Sequence, residues 1–350
     1  VLSRYVSTGS VLTLVTAALL LAAATFVRPI TYYLPLLFMP LLAFRAAVGR
    51  SPIGDNSIGD RPGANDPTVR GATAAIASEK AKTDRRGRVW GCLAAAGFAV
   101  VALAPCAAWQ VRNYVETGYS GFSGIPECNL YFFQGASILA RQSGKSLREV
   151  QVELGQNDPQ LLSLLHGPQQ AATVRRLGAE GRRLVAKYPV EYAKIHARGT
   201  AILALDPGAA DLLRILGRYP AGVNGLRPLS GSVVDTFARM RREVPEAFYL
   251  NLAFGVALGL VYCAAALGLL AACRRLNWQW TFLLVTLAYF LAVSGGSTGC
   301  ARLRLPMMPL VCILAGHGIA VLSSRWQAKP QRNSGRSRLA AAEMQLTHAA

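Results

Sequence analysis

Four arginines stand where long uncharged runs give way to polar sequence, each close to a proline or an asparagine. They occur as Arg28-Pro29, as Trp109-x-x-Arg112-Asn113, and as Ala301-Arg302-Leu303-Arg304-Leu305-Pro306. A guanidinium is a planar fork that donates two parallel hydrogen bonds, a geometry that suits phosphate. If the uncharged runs cross a bilayer, a lipid phosphate or pyrophosphate sits at this depth with its chain in the hydrocarbon. Several arginines at one face would then form a convergent anion site. The plain alternative is that each side chain snorkels separately to the headgroups. Within this set Arg304 is the first choice for a phosphate contact, because Pro306 marks a helix start beside it. Arg302 follows, with Arg28 as a third candidate. Arg112 and Asn113 would order the start of the following loop or touch the head group.

Other reactive residues offer less. The seven cysteines form no CxxC pair, and neither a His-Glu-x-x-His nor a P-loop motif is present. The four histidines, at 166, 196, 317 and 348, are scattered, so no metal site is expected from them. Gly118, Gly121 and Gly124 follow no strand and are not read as a nucleotide fingerprint. Gly255 and Gly259 form a GxxxG spacing, read as close helix packing within the monomer. Glu116 and Glu127, just past one uncharged run, are the internal carboxylates nearest the arginines in sequence. As ordinary surface carboxylates they would carry no chemistry.

These residues need elements to hold them. Of 350 residues 52% are hydrophobic and 16% charged, against about 25% charged in soluble domains. The deficit is concentrated in six windows, at about 10–27, 30–44, 89–110, 247–272, 278–294 and 305–323. A helix needs ~20 apolar residues to cross ~30 Å of hydrocarbon. The expectation is therefore an all-α polytopic membrane bundle of about six spans. The second window is short and carries Pro35 and Pro40, which predicts a kinked, tilted or partly re-entrant helix. The formal charge of +19 is assigned to anionic lipid or a phosphorylated substrate, and nucleic acid is not expected.

Short basic segments set the orientation. Arg274-Arg275 and the tail from 324 to 338 place both ends of the chain inside, in the cytoplasm. The chain then divides into two spans at 1–44, an unstructured Gly/Pro/Asp/Asn-rich inner linker at 45–88 and a third span at 89–113. An extracytoplasmic domain at 114–245, three spans at 246–324 and a basic tail at 325–350 follow. Leucines at 161–165, apolar steps at 174–185, and segments at 190–205 and 211–219 predict helices in the outer domain. On this topology Cys128 and Cys300 clearly face outside, where an oxidising compartment permits a disulfide between them. The chain begins Val1-Leu2-Ser3 and is read as lacking an N-terminal part.

The segment APCAAWQVRNYVETGYSGFSGIPECNLYF resembles the "PW-x-x-RN" stretch of GT-C membrane glycosyltransferases, relatives of the protein mannosyltransferases and the lipid A aminoarabinose transferase. GCARLRLPMMPLVCILAGHGIAVL resembles that family's last "R-(Y/F)-R-x-P-x-x-P" helix, LLLAAATFVRPITYYLPLLF its "TRP…LLP" helix pair, and KYPVEYAKIHARG a helix of its outer loop. The resemblance covers most of 10–325. It implies transfer of a sugar, with inversion, from a polyprenyl-phosphate donor to an acceptor at the outer face of the plasma (inner) membrane. An acidic base in the family's first outer loop would accept the acceptor's proton. Cationic groups or a divalent metal would neutralise the leaving phosphate. The resemblance puts that base upstream of Val1, so this chain alone is expected to be inactive. Two other readings are an O-antigen ligase or polymerase acting on a lipid pyrophosphate, and a non-catalytic membrane scaffold.

Overall fold

The leucine- and alanine-rich runs fold as helices, since in hydrocarbon every backbone group must be satisfied within its own segment. The computed structural model describes residues 2, 5, 10–48, 67–166, 169–219, 233–274 and 276–327, and all regular structure among them is helical. The chain divides into two units, 1–193 and 194–350.

In the first unit α1 (Val11–Val27) ends at Arg28, whose extended backbone breaks the helix. A 3-10 turn at Pro29–Thr31 leads into α2 (Leu34–Val48), which carries Pro40 in its interior. The Thr25 and Thr31 hydroxyls meet at 3.0 Å in a buried contact that closes this hairpin. A single helix, α3 (Pro67–Thr117), then runs for 51 residues. Gly91 gives α2 room to approach, because a side chain there would collide with Ala46.

The inner linker expected at 45–88 is thus largely helical. Its first residues belong to α2, and 67–88 to α3, while 49–66 lie outside the described residues. The reason lies in composition. Pro67 suits a first helical position, and the alanines, lysines and arginines after it are good helix formers.

Short helices follow: α4 (Ile125–Asn129), a π-helical turn at Leu130–Gly135, α5 (Ala136–Ser143), α6 (Leu147–Glu153) and α7 (Pro159–His166). The wider π turn leaves backbone groups in need of partners, and Gln151 supplies one by donating to the Phe132 carbonyl at 3.0 Å. Ser146 and Glu149 form a reciprocal capping box at the start of α6. The longest helix of this part, α8 (Gln170–Lys187), presents Gly178 and Gly181 to α4 and the π turn. A Cβ at Gly178 would strike Glu127, and one at Gly181 would strike Leu130.

The second unit takes in most of α9 (Pro189–Leu205), then α10 (Ala209–Ile215), α11 (Val233–Glu243), α12 (Pro245–Arg274), α13 (Trp278–Ser294), a 3-10 turn at Ala301–Arg304 and α14 (Met308–Gln327). Helices α12 and α14 pack with Ala265, Val311, Leu314 and Ala315 between them. Gly268 lies against the Leu314 carbonyl and Gly318 against the Ala264 carbonyl, close enough that no side chain fits at either glycine. The GxxxG pair does not make this crossing. Nothing lies within 4 Å of a Cβ at Gly259, and Gly255 meets only Pro207.

Three segments are long and apolar enough to cross a membrane: Pro29–Ala46, Gly87–Thr117 and Pro245–Arg274. Val11–Val27, Trp278–Ser294 and Met308–Ser324 are apolar but shorter. The six windows are therefore all helical, and three of them reach spanning length. The basic tail expected at 325–350 lies outside the described residues beyond 327.

Candidate functional site

Four aromatic residues of the first unit meet at one end of its apolar helices. Phe26, in the last turn of α1, meets Trp109 of α3 edge-on at 6.0 Å and Phe122 at 5.4 Å between ring centroids. Tyr32 packs against Phe122 at 6.2 Å, and its hydroxyl donates to the Gln110 side-chain carbonyl at 3.2 Å. Such a cluster suits a membrane–water boundary, where an aromatic ring has one apolar end and one wet end.

The Trp109-x-x-Arg112-Asn113 motif lies in the last turns of α3, and each of its three named residues has a separate task. Trp109 Nε1 donates to the Phe122 carbonyl at 3.0 Å. Asn113 Nδ2 donates to the carbonyls of Gly121 at 3.1 Å and Phe122 at 3.2 Å. These bonds fold the glycine-rich segment 118–124 back onto the helix that precedes it. The Arg112 guanidinium lies over the Trp109 ring at 5.0 Å and remains exposed. Its Nη1 donates to the Asn113 side-chain carbonyl at 3.4 Å. Arg28 follows Phe26 by two residues, its backbone N–H bonded to Ala24 and its side chain half-buried. The aromatic contacts therefore bring Arg28 and Arg112 to the same end of this unit.

Arg304 has another role. It is 8% exposed, and its guanidinium donates to the carbonyls of Leu203 at 3.1 Å and Ala204 at 2.8 Å. The Tyr262 hydroxyl donates to the Ala204 carbonyl at 2.7 Å. These are among the last carbonyls of α9, which have no partner inside their own helix. The first-choice phosphate ligand is thus occupied as a helix cap. The helix after it begins at Met308 rather than at Pro306. Arg302, two residues earlier on the 3-10 turn, is exposed.

The loop that delivers these two arginines is seated by glycine. Segment 294–300 crosses α9 with its backbone against Gly199, and a Cβ at Gly199 would overlap Gly296. The Gly295 backbone lies against Thr200 and His196 in the same way.

The acidic base expected upstream of Val1 is not placed by the structure, and Val1 itself lies outside the described residues. The internal carboxylates that could stand in for it, Glu127 and Glu116, differ. Glu116 is exposed on the last turn of α3, whereas Glu127 is half-buried and its Oε2 is fully enclosed. The Tyr119 phenol lies beside the Glu127 carboxylate. Burial first, then that carboxylate, push the phenol well above its usual range, opposed by Arg182. Burial, reinforced by Glu127, also pushes the Cys128 thiol up. Cys128 is half-buried in the first unit and Cys300 buried in the second. Among the described residues no group of three or more His, Cys, Asp or Glu side chains could hold a metal ion. A shallow pocket of about 310 Å³ lies between α5 and α6, rimmed by the Lys145–Glu153 ion pair and apart from the arginines.

The sequence singled out Trp109, Arg112, Asn113 and Arg28. It missed Phe26, Tyr32 and Phe122, which unite them. The available signal was an aromatic residue at the edge of each apolar run. No family model, curated protein or solved structure matches the chain.

Proposed function

We propose that the chain is an integral membrane glycosyltransferase that moves a sugar from a polyprenyl-phosphate donor to an acceptor. The observation that supports this most is that the Phe26–Trp109 contact puts Arg28 and Arg112, the latter stacked on Trp109, at one end of the first unit's apolar helices. A phosphate at that end meets cations, and a lipid tail below it meets apolar helix faces.

The chemistry is a displacement at the anomeric carbon. The acceptor oxygen forms a bond to that carbon while the bond to the donor's phosphate oxygen breaks. The configuration inverts, and the phosphate leaves as an anion. Arg112 and Arg28 stabilise the charge on the leaving oxygen, and a carboxylate takes the acceptor's proton. On this reading all six apolar helices cross the plasma membrane. The segment between Thr117 and Pro245 then faces outward, with both chain ends in the cytoplasm.

Binding tests the reading directly. The full chain in nanodiscs should retain a polyprenyl phosphate in preference to the uncharged polyprenol. Arg28→Gln and Arg112→Gln together should weaken that retention about tenfold or more, the scale of a lost charge-assisted hydrogen bond. Equal retention of the phosphate and the alcohol would refute it. Sugar transfer by this chain would place the proton acceptor within it, with Glu127→Gln the first variant to assay.

A further inference from the structure

One strongly basic helix face takes no part in that chemistry. Helix α8 exposes Arg175, Arg176, Arg182, Arg183 and Lys187, while Ala171, Val174 and Leu177 are buried on its inner side. Glu180 is the one carboxylate within 170–187, so the helix carries a net charge of +4 along about 27 Å. Of the nearby acids, Glu180 pairs with Arg183 at 3.5 Å and Glu127 opposes Arg182 at the Tyr119 phenol, whereas Glu191 bonds to Arg141 at 3.0 Å.

The position of this helix is fixed by the span before it. Arg175 Nη1 donates at 2.9 Å to the carbonyl of Gly118, the residue that follows the apolar segment Gly87–Thr117. A Cβ at Gly124 would touch Val174, so the N-terminal half of α8 is packed on the turn that leaves the membrane. A helix tied there carries its arginines at headgroup depth. We propose that the basic face of α8 lies on anionic phospholipid headgroups and gives this protein a preference for acidic lipid around its first unit. The chemistry is multiple guanidinium contacts to phosphodiesters, each cation worth roughly a fivefold preference at an anionic surface.

Spin-labelled lipids can measure this on the full chain reconstituted in phosphatidylcholine. Labelled phosphatidylglycerol should associate several-fold more strongly than labelled phosphatidylcholine, and ~1 M salt should remove most of the difference. The triple variant Arg176→Gln/Arg183→Gln/Lys187→Gln should lose at least half of the preference while keeping its helical circular dichroism, since these sites are exposed. A control with equal charge removed, Arg218→Gln/Arg241→Gln/Arg242→Gln, should retain it. Three results would overturn the proposal: no preference in the wild-type chain, an unchanged triple variant, or equal losses in the two variants. A triple variant that keeps its lipid preference but loses binding to heparin would assign the face to a soluble polyanion instead. The outcome does not depend on sugar transfer, because the variants leave Arg28 and Arg112 in place.

Discussion

Arg304 and Arg112 are identical in chemistry and differ in what surrounds them. Arg304 is buried with two backbone carbonyls as its partners, whereas Arg112 is exposed on an indole face. Replacing Arg304 with Leu leaves the Leu203 carbonyl without this donor and Ala204 with the Tyr262 hydroxyl alone. It should cost about 2–4 kcal/mol, read as a lower melting temperature in detergent. Arg112→Gln should leave stability within about 0.5 kcal/mol, because surface substitutions away from buried features usually do. Tyr119 gives a pH test. Its phenol titrates higher in the fold than its usual value of 10, so the neutral form is favoured in the folded state. The associated stability is full below about pH 10 and is lost as pH rises through the folded value. Tyr119→Phe should therefore flatten the alkaline limb of a melting curve measured against pH. The limb will not vanish, because the Cys128 and Tyr131 shifts have the same sign. That the arginines would part in this way was not legible in the sequence. Arg302-Leu303-Arg304 reads the same whichever side chain turns inward, and the α9 carbonyls that decide it lie 100 residues away in the chain.

Helices were legible wherever periodicity or an uncharged run was long. The expected segments at 174–185 and 190–205 fall within α8 and α9, and all six apolar windows are helical. The short helices at Ile125–Asn129, Ala136–Ser143 and Leu147–Glu153 and the start of α3 were not found, nor were two further elements. The π turn at Leu130–Gly135 is set by a carbonyl that Gln151 satisfies from another helix, and α11 has a short pattern dominated by charge. Glycine was misread for a related reason, since GxxxG describes one helix whereas close approach depends on two. The structure places the contact at Gly268 and Gly318. Gly268→Leu or Gly318→Leu should destabilise the chain by about 1–3 kcal/mol or prevent its folding. Gly255→Leu and Gly259→Leu should be far milder. Thermal denaturation of the four variants in one detergent distinguishes these outcomes, and equal losses at both pairs would contradict the crossing described here.

At the scale of the whole molecule, hydropathy indicated a membrane protein without fixing which windows are long enough to cross. Three reach that length as helices and three are shorter. The proposed orientation can be tested with the cysteines already present. Cys92 is near the start of the apolar part of α3, Cys273 is in the last turn of α12, and both are exposed. A membrane-impermeant maleimide should spare both in intact cells and label both in inside-out vesicles. Labelling of Cys273 from the outside would reverse the assignment of α12 and with it the side on which the segment before Pro245 lies.

Helix α3 runs unbroken from Pro67 to Thr117, about 76 Å at the usual rise per residue. On the proposed reading, where its apolar part crosses a membrane, a rod of that length works as a lever whose fulcrum is the bilayer. Rocking it by about 5° around its midpoint would carry the Trp109–Asn113 end sideways by roughly 3 Å. Anything that grasps the far end near Pro67 could thereby widen or narrow the gap between Arg112 and the neighbouring hairpin without touching either.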